Sequence, residues 1–244
     1  MILAVDAGNT RVKAAVFENN RQVFSAAFQI VDLRKNIENI LQDFPKIDVL
    51  VGSSVINLEQ SVFDFIKNRV KIEWISASYS FPFENFYQTP HTLGIDRQIL
   101  ASGAVLRFPA QNRLVIDAGS CITYDFITEN NEYLGGAISL GLQMRYRALS
   151  EFTDKLPLLT VQNPNHFIGN TTQESIHSGV VNGLVHEIEG FLKEYESLYS
   201  NFTIILTGGD AVFLAKRLKN TIFANSNFLL ESLHDTYQYK IKND

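Results

Sequence analysis

Short apolar runs alternate along this chain with stretches in which apolar side chains recur every three or four positions. Residues 2–6, 12–17 and 22–28 read as three strands joined by short turns, with Asn19-Asn20 marking the second turn. Over 31–43 the spacing predicts a helix with Val31, Ile37, Ile40, Leu41 and Phe44 on one face, and Pro45 stops it. Val49-Leu50-Val51 reads as a buried strand entering Gly52-Ser53-Ser54. A second helix is expected over 59–69, with Val62, Phe63 and Ile66 inward, and a strand over 71–75. After an aromatic-rich stretch, a third helix runs from near Gly94 to about 107. Pro109 to Asn112 reads as a linker, and the plan then repeats with strands near 113–118, 121–128 and 132–138. Gly135-Gly136-Ala137-Ile138 ends the last of these strands, and a helix runs from Gly141 toward Phe152. Residues 153–170 are irregular, broken by Pro157, Pro164 and Gly169. Thr171-Thr172-Gln173-Glu174 has the form of a capping box, opening a long helix with Ile176, Val180, Leu184, Ile188, Phe191 and Tyr195 inward. A strand at 203–206, a helix at about 210–218, a strand at 221–224 and a helix at about 228–237 complete the chain. The expected class is α/β in two halves, 1–111 and 112–244.

The candidate chemistry sits where strands end. Asp6-Ala7-Gly8-Asn9-Thr10-Arg11-Val12-Lys13 joins the first two strands as a tight turn with a carboxylate at its mouth. Such a loop can hold an anion on its backbone N–H groups, with a hydrated cation on Asp6; it can equally be a hairpin with a solvated Asp and Lys. The pattern recurs about half a chain later, where Asp117-Ala118-Gly119-Ser120-Cys121-Ile122-Thr123 follows Leu114-Val115-Ile116 and leads into Tyr124-Asp125. A third glycine turn, Thr207-Gly208-Gly209-Asp210, follows Thr203-Ile204-Ile205-Leu206. Neither a Walker sequence nor Gly-x-Gly-x-x-Gly occurs, so any nucleotide is held in another way.

Two further stretches change the picture. Tyr79, Phe81, Phe83, Phe86 and Tyr87 crowd together with Pro82 and Pro90, either as a loop pinned to the core or as one wall of a substrate pocket. In Gly94-Ile95-Asp96-Arg97 the helix dipole favours Asp96 in the first turn but not Arg97, which calls for a nearby carboxylate or phosphate. In the long helix Ser175, Gly179 and Gly183 lie four apart. Glycine inside a helix costs about 1 kcal/mol against alanine, so the stripe implies close approach of another backbone or a flat ligand.

Composition narrows the classes. The 244 residues, 45% hydrophobic, suffice for one large core or two smaller ones. A net charge of −5 argues against a nucleic-acid binder. No apolar run reaches the roughly 20 residues that span a bilayer, no signal peptide is expected, and a single cysteine, Cys121, fits a reducing, cytoplasmic setting. The five histidines lack zinc-ligand spacing.

Two halves that each open with strand, Asp-Ala-Gly turn and strand resemble the acetate/sugar kinase, Hsp70 and actin superfamily. That resemblance implies two ribonuclease H-like halves with a nucleotide cleft between them and the later glycine turn near adenosine. The finer resemblance is to type III pantothenate kinases. It rests on Asp6-x-Gly8-Asn9-Thr10-x-x-Lys13; on Tyr87 and Gly94-x-Asp96-Arg97; and on Asp117-x-Gly119-Ser120-x-x-Thr123-x-Asp125. Gly135-Gly136-x-Ile138-x-x-Gly141, Lys155-Leu156-Pro157 and Gly169-x-x-Thr172-x-x-Ser175-Ile176-x-x-Gly179 follow in the right order. The resemblance implies ATP-dependent phosphorylation of pantothenate, the first step of coenzyme A biosynthesis, with Asp96 as general base. It implies that Asp6, Ala7, Gly8, Asn9, Thr10, Arg11, Val12, Lys13 and Ser120 contact ATP, with Mg²⁺ held through water by Asp6. Tyr87, Gly94, Ile95, Asp96, Arg97 and Thr172 would form the pantothenate site, Thr172 coming from the neighbouring subunit of a homodimer. Asp117 would bind a monovalent cation, K⁺ or NH₄⁺. Ser120 stands where the family usually has Thr, and Leu140 where Pro commonly precedes Gly141, which leaves that turn less rigid. Two alternatives remain from other classes: a non-catalytic, accessory transcription factor-like protein on the same fold, and a superfamily kinase or phosphatase for sugars or polyphosphate. Asp6, Lys13, Asp96 and Asp117 argue against the first, and the Tyr87 to Arg97 block against the second.

Overall fold

The computed structural model describes residues 1–8, 10–54, 63–220 and 222–243. The chain forms two compact units, one of residues 1–109, 131–134 and 227–244, the other of 110–130 and 135–226.

In the first unit β1 (Ile2–Ala7), β2 (Val12–Glu18), β3 (Arg21–Phe28), β4 (Val49–Ser54) and β5 (Lys71–Trp74) form a sheet in the order β3-β2-β1-β4-β5. The hairpin strands pair antiparallel, while β1–β4 and β4–β5 are parallel. In the second unit β7 (Asn112–Ala118), β8 (Cys121–Ile127), β9 (Glu132–Leu140), β10 (Phe202–Thr207) and β11 (Phe223–Ala224) repeat that order counted from β7. The duplicated ribonuclease H-like plan expected from the repeated turn is therefore present. The first residues of β9 belong to the first unit, where Glu132 and Tyr133 pair parallel with the short β6 (Glu84–Asn85).

Alternation along each strand decides what faces what. In the first sheet Leu3, Val5, Ala7, Ala14 and Val16 bury one face with α1 (Leu33–Asp43), through Leu33, Ile37, Ile40 and Leu41. Val31, expected on that inward face, is 86% exposed, because it lies in a single 3₁₀ turn before the helix rather than in its first turn. The expected helix over 59–69 falls partly outside the described residues; over 64–69 the chain is turn rather than α-helix, although Phe63 and Ile66 are buried as anticipated.

The other face of the sheet carries Ala4, Asp6, Ala15 and Phe17. There α7 (Phe228–Asn243) packs on β1 and on α2 (Ile95–Arg107). Residues 97–105 of α2 are buried without interruption, so this helix has no solvent face along its middle turns. Small residues let α2 and α7 approach: Ser102 Oγ accepts a hydrogen bond from Thr236 at 2.7 Å, and Gly103 lies against Ser232. At the far end Arg107 is gripped by Glu231 and Asp235, and His234, stacked on Phe17 at 4.4 Å, meets Asp235 at 3.0 Å. Burial alone would raise the Asp235 pKa, but the hydrogen bonds from His234 and Arg107 outweigh it and hold the carboxyl below its usual value.

In the second unit α3 (Leu142–Glu151), α4 (Thr172–His177), a five-residue π segment (Ser178–Asn182) and α5 (Gly183–Leu198) form one packed layer. Ile176, Val180, Leu184, Ile188 and Leu192 point into the core with Leu114, Ile116, Leu206 and Tyr124. The Thr171 side chain caps the helix, accepting from Glu174 N at 3.2 Å, while Glu174 reaches back to Asn170 N rather than to the cap residue itself. The late helix expected at 210–218 is shorter, α6 (Ala211–Ala215), and the final helix runs beyond its expected end at 237 to residue 243. Among the described residues no helix is long and apolar enough to cross a membrane.

Adding a methyl at Gly103 would favour helix by about 1 kcal/mol, but it would also place a Cβ 2.9 Å from the Ser232 Cα, which cannot rotate away. Overpacking of this kind costs about 1–3 kcal/mol. Gly103→Ala should therefore lower stability in chemical denaturation, with Asp96 untouched.

Candidate active site

The carboxylate that ends β1, Asp6, is 5% exposed and lies on the α2 face of the sheet. Its neighbours follow from strand register. Lys13 stands opposite it on β2, and Ser53 opposite it on β4. Ser53 is fully buried and donates its hydroxyl to Asp6 Oδ1 at 2.8 Å. Burial raises the Asp6 pKa to about 6 against the pull of Ser53 and Lys13, and the negative charge of Asp96 adds to the rise. Asp6, Lys13 and Asp96 are thus brought together in the first unit. The turn beyond is closed by Gly8 N on Arg11 O at 3.1 Å, with Thr10 and Arg11 exposed. Asn9 lies outside the described residues.

Asp96 sits in the first turn of α2. Its Oδ1 accepts the Arg97 N–H at 2.8 Å, one of the backbone donors a helix start leaves unpaired. Gly94, which caps the helix, is required by that arrangement, since a Cβ there would lie 2.5 Å from Asp96 Oδ1. Ile95 opens the helix half-buried. Arg97 is 5% exposed, and its guanidinium lies over the Tyr87 ring at 5.7 Å. The aromatic side chains of residues 79–87 form a row together with Tyr133. Tyr79, Phe81, Phe83, Tyr133 and Tyr87 succeed one another at centroid distances of 5.4–6.3 Å, ending on Arg97. At its other end Lys240 covers Tyr79 at 4.6 Å and is held by Glu73 at 2.7 Å.

In the second unit Asp117 and Ser120 belong to the β7–β8 turn, which Gly119 N closes on Cys121 O at 3.0 Å. Ser120 is exposed and its carbonyl accepts Gly141 N at 3.1 Å. A side chain at Gly141 would collide with the carbonyls of Gly119 and Ser120, so this glycine lets the β9–α3 connection lie on the hairpin. Leu140, in place of proline, is fixed in another way: its carbonyl accepts Arg145 Nε at 2.8 Å, and Arg145 is paired with Glu187 at 2.5 Å. The glycine turn after β10 lies on the same hairpin, with Asp210 N donating to Ala118 O at 3.0 Å. Thr172 stands elsewhere, at the start of α4, lining a groove of about 1080 Å³ together with Leu140, Phe152, Leu156, Ile176 and Gly179. Neither Asp117 nor Ser120 lines that groove.

Sequence reasoning missed Ser53 and Tyr133. A serine continuing an apolar, parallel strand was the available signal for Ser53; Tyr133 gave none, because its partners come from a distant loop.

The sequence model of the type III pantothenate kinase family matches residues 2–194. The chain belongs to that family. It is 60% identical over 244 residues to a type III pantothenate kinase of Flavobacterium johnsoniae, covering all of both chains. It is 57% identical over 240 residues to that of Flavobacterium psychrophilum, covering 98% of this chain and 100% of the relative. Among solved structures it resembles a Campylobacter jejuni protein described as a Baf family transcriptional activator, with TM-score 0.64, 20% identity and coverage of 98% and 99%. It also resembles the activator of the 2-hydroxyisocaproyl-CoA dehydratase of Clostridium difficile with bound ADPNP, with TM-score 0.58, 12% identity and coverage of 99% and 96%. These two likenesses bear on the fold, which is that of the actin-like ATPases and kinases.

A carboxyl raised in the folded state binds its proton more tightly than in the unfolded chain, where the ordinary value is 3.8. The stability it adds is complete below about pH 4 and is lost as pH rises through about 6. Lys13 and Asp96 are the charged groups that act on it. Asp6→Asn should therefore stabilise the ligand-free protein by up to about 3 kcal/mol at pH 7, with little gain at pH 4. Urea denaturation at the two pH values measures the difference.

Proposed function

We propose that this type III pantothenate kinase transfers the γ-phosphoryl group of ATP to the primary hydroxyl of pantothenate, giving 4′-phosphopantothenate and ADP, the first step of coenzyme A biosynthesis. The observation that carries this reading is Asp96, fixed on the N-terminus of a buried helix and next in sequence to Arg97 beneath Tyr87.

Phosphoryl transfer demands charge neutralisation, positioning of the acceptor and acceptance of its proton. Asp96 Oδ1 is engaged by the helix N–H, so Oδ2 takes the hydroxyl proton as the new P–O bond forms and the bond to the ADP oxygen breaks. Arg97, nearly excluded from water, forks the pantothenate carboxylate, an interaction strengthened by burial. Tyr87 and the aromatic row behind it cover the apolar part of the substrate, and Gly94 and Ile95 shape the floor. The residues assigned to ATP are Asp6, Ala7, Gly8, Asn9, Thr10, Arg11, Val12, Lys13 and Ser120. Asp6 suits a water-mediated Mg²⁺: it is a buried carboxylate whose charge is only partly offset by Ser53 and Lys13, and a dication would restore its ionised form. Mg²⁺, when bound, neutralises the phosphate oxygens. Asp117, at the end of β7, is the residue we assign to a monovalent cation, K⁺ or NH₄⁺.

A homodimer completes the reading. The groove beside Thr172 is apolar and open, with Phe152 82% exposed at its edge. Gly179 and Gly183 face outward, and a Cβ at either would meet nothing within 4 Å among the described residues. Their cost to the helix is repaid when a second copy packs its backbone there and Thr172 reaches that copy's pantothenate.

Two outcomes are expected. Asp96→Asn should bind ATP and pantothenate as before but turn over about 10²–10⁴-fold more slowly in a coupled ADP-release assay; wild-type turnover would remove the base from Asp96. Gly179→Glu should fold, sediment as a monomer and lose pantothenate-dependent turnover, whereas an intact dimer would remove this face from the interface.

A further inference from the structure

One face of the second sheet collects polar groups that the phosphoryl transfer derived above does not use. Register places Thr207 of β10 opposite Asp117 of β7, and Asp117 opposite Thr123 of β8, so the three form a row across adjacent strands. Residues in register project to the same side. One row further back Asp125 stands opposite Val115, fully buried, and Thr123 donates its hydroxyl to Asp125 Oδ2 at 3.1 Å.

Thr207 is the anomaly in this row. Its side chain is 1% exposed, and Oγ1 has no hydrogen-bond partner among the described residues. A buried hydroxyl left unpaired is unfavourable, and one in a strand that valine would fill equally well calls for a reason. The next residue brings the chain still closer to Asp117. Gly208 adopts φ +95°, and a Cβ there would collide with both Ala118 O and Asp117 Oδ1. The turn after Thr207 therefore lies directly on the Asp117 carboxylate.

We propose that Thr207 Oγ1 is a ligand of the monovalent cation at Asp117. The proposal rests on the assignment of that cation to Asp117. A large monovalent cation exchanges its hydration shell for several protein oxygens, neutral ones included. A hydroxyl suits this better than a second carboxylate, since it supplies lone pairs without further charge. The neighbouring carboxyl groups of Asp117 and Asp125 supply oxygens that suit a cation, and Thr123, whose proton is given to Asp125, turns lone pairs outward beside them. The unpaired state of Thr207 is then a property of the ligand-free protein.

The test is thermal denaturation of the full chain, with and without ADP, at constant ionic strength as KCl replaces choline chloride. Wild-type Tm should rise and saturate with K⁺. Thr207→Val, which keeps shape and removes the oxygen, should raise the half-saturating K⁺ by about tenfold or more, while Thr207→Ser stays near wild type. In choline alone Thr207→Val should melt no lower than wild type, because the unpaired hydroxyl is gone. Should the valine variant not fold, Thr207→Ala makes the same comparison. An unchanged K⁺ dependence in the valine or alanine variant overturns the proposal. Wild-type protein that ignores K⁺, or Asp117→Asn that responds as wild type does, overturns the assignment to Asp117 itself and the proposal with it.

Discussion

The packing of α2 against α7 is the constraint from which the first unit's chemistry follows. A helix buried through residues 97–105 has no freedom to tilt unless its neighbours move. Its position is fixed along its length, by Gly103 on Ser232 and Ser102 bonded to Thr236 in the middle, and by Arg107 between Glu231 and Asp235 at the end. The clamp comes from the last residues of the chain, which therefore belong to the N-terminal unit. The N-terminal turn of α2 is thereby set against the end of β1. Asp96 is held by a helix that cannot shift, with Gly94 at the cap leaving room for its carboxylate.

That rigidity brings two carboxylates close together. Asp6 is buried on the face where α2 packs, and the charge of Asp96 makes its ionisation harder still. A core built for stability alone would put an apolar side chain at the end of β1, as it does at Leu3 and Val5 on the opposite face. Ser53 lessens the burden with one hydrogen bond and Lys13 with one charge, and together they leave the carboxyl at about 6. On the function proposed above, in which Asp6 meets Mg²⁺ and the turn beyond it meets phosphates, negative and positive charge are needed in reserve, and the ligand-free protein carries the repulsion until the ligands arrive.

Much of this was legible in the residues because it depends on local rules. The strand–turn–strand unit around Asp6 and its copy around Asp117 are hairpins, and hairpin register follows from adjacent sequence; the five-strand order then repeats in both units. The face of the long helix with Ile176, Val180, Leu184 and Ile188 is set by its period, and it holds even through the π segment. What was not legible is non-local. Val31 fits the helical period yet is exposed, because the chain makes a 3₁₀ turn before the helix begins. The place of residues 228–243 beside α2 depends on contacts with residues more than a hundred positions earlier, and nothing in their own spacing names that partner. Ser53 and Tyr133 escaped for the same reason: each acts through a residue on another strand or loop.

The outward glycines show how composition can be read against a protomer. Glycine within a helix is destabilising, and among the described residues nothing comes near enough to Gly179, Gly183 or Gly190 to explain it. Gly103, Gly136 and Gly141 are of the opposite kind, for each lies against backbone of its own unit where a methyl group has no room. The contrast separates glycines that the fold requires from those that it leaves unexplained. It places the unexplained ones on the layer of helices that carries Thr172 and the open apolar groove, and so makes one surface, rather than several, responsible for the cost.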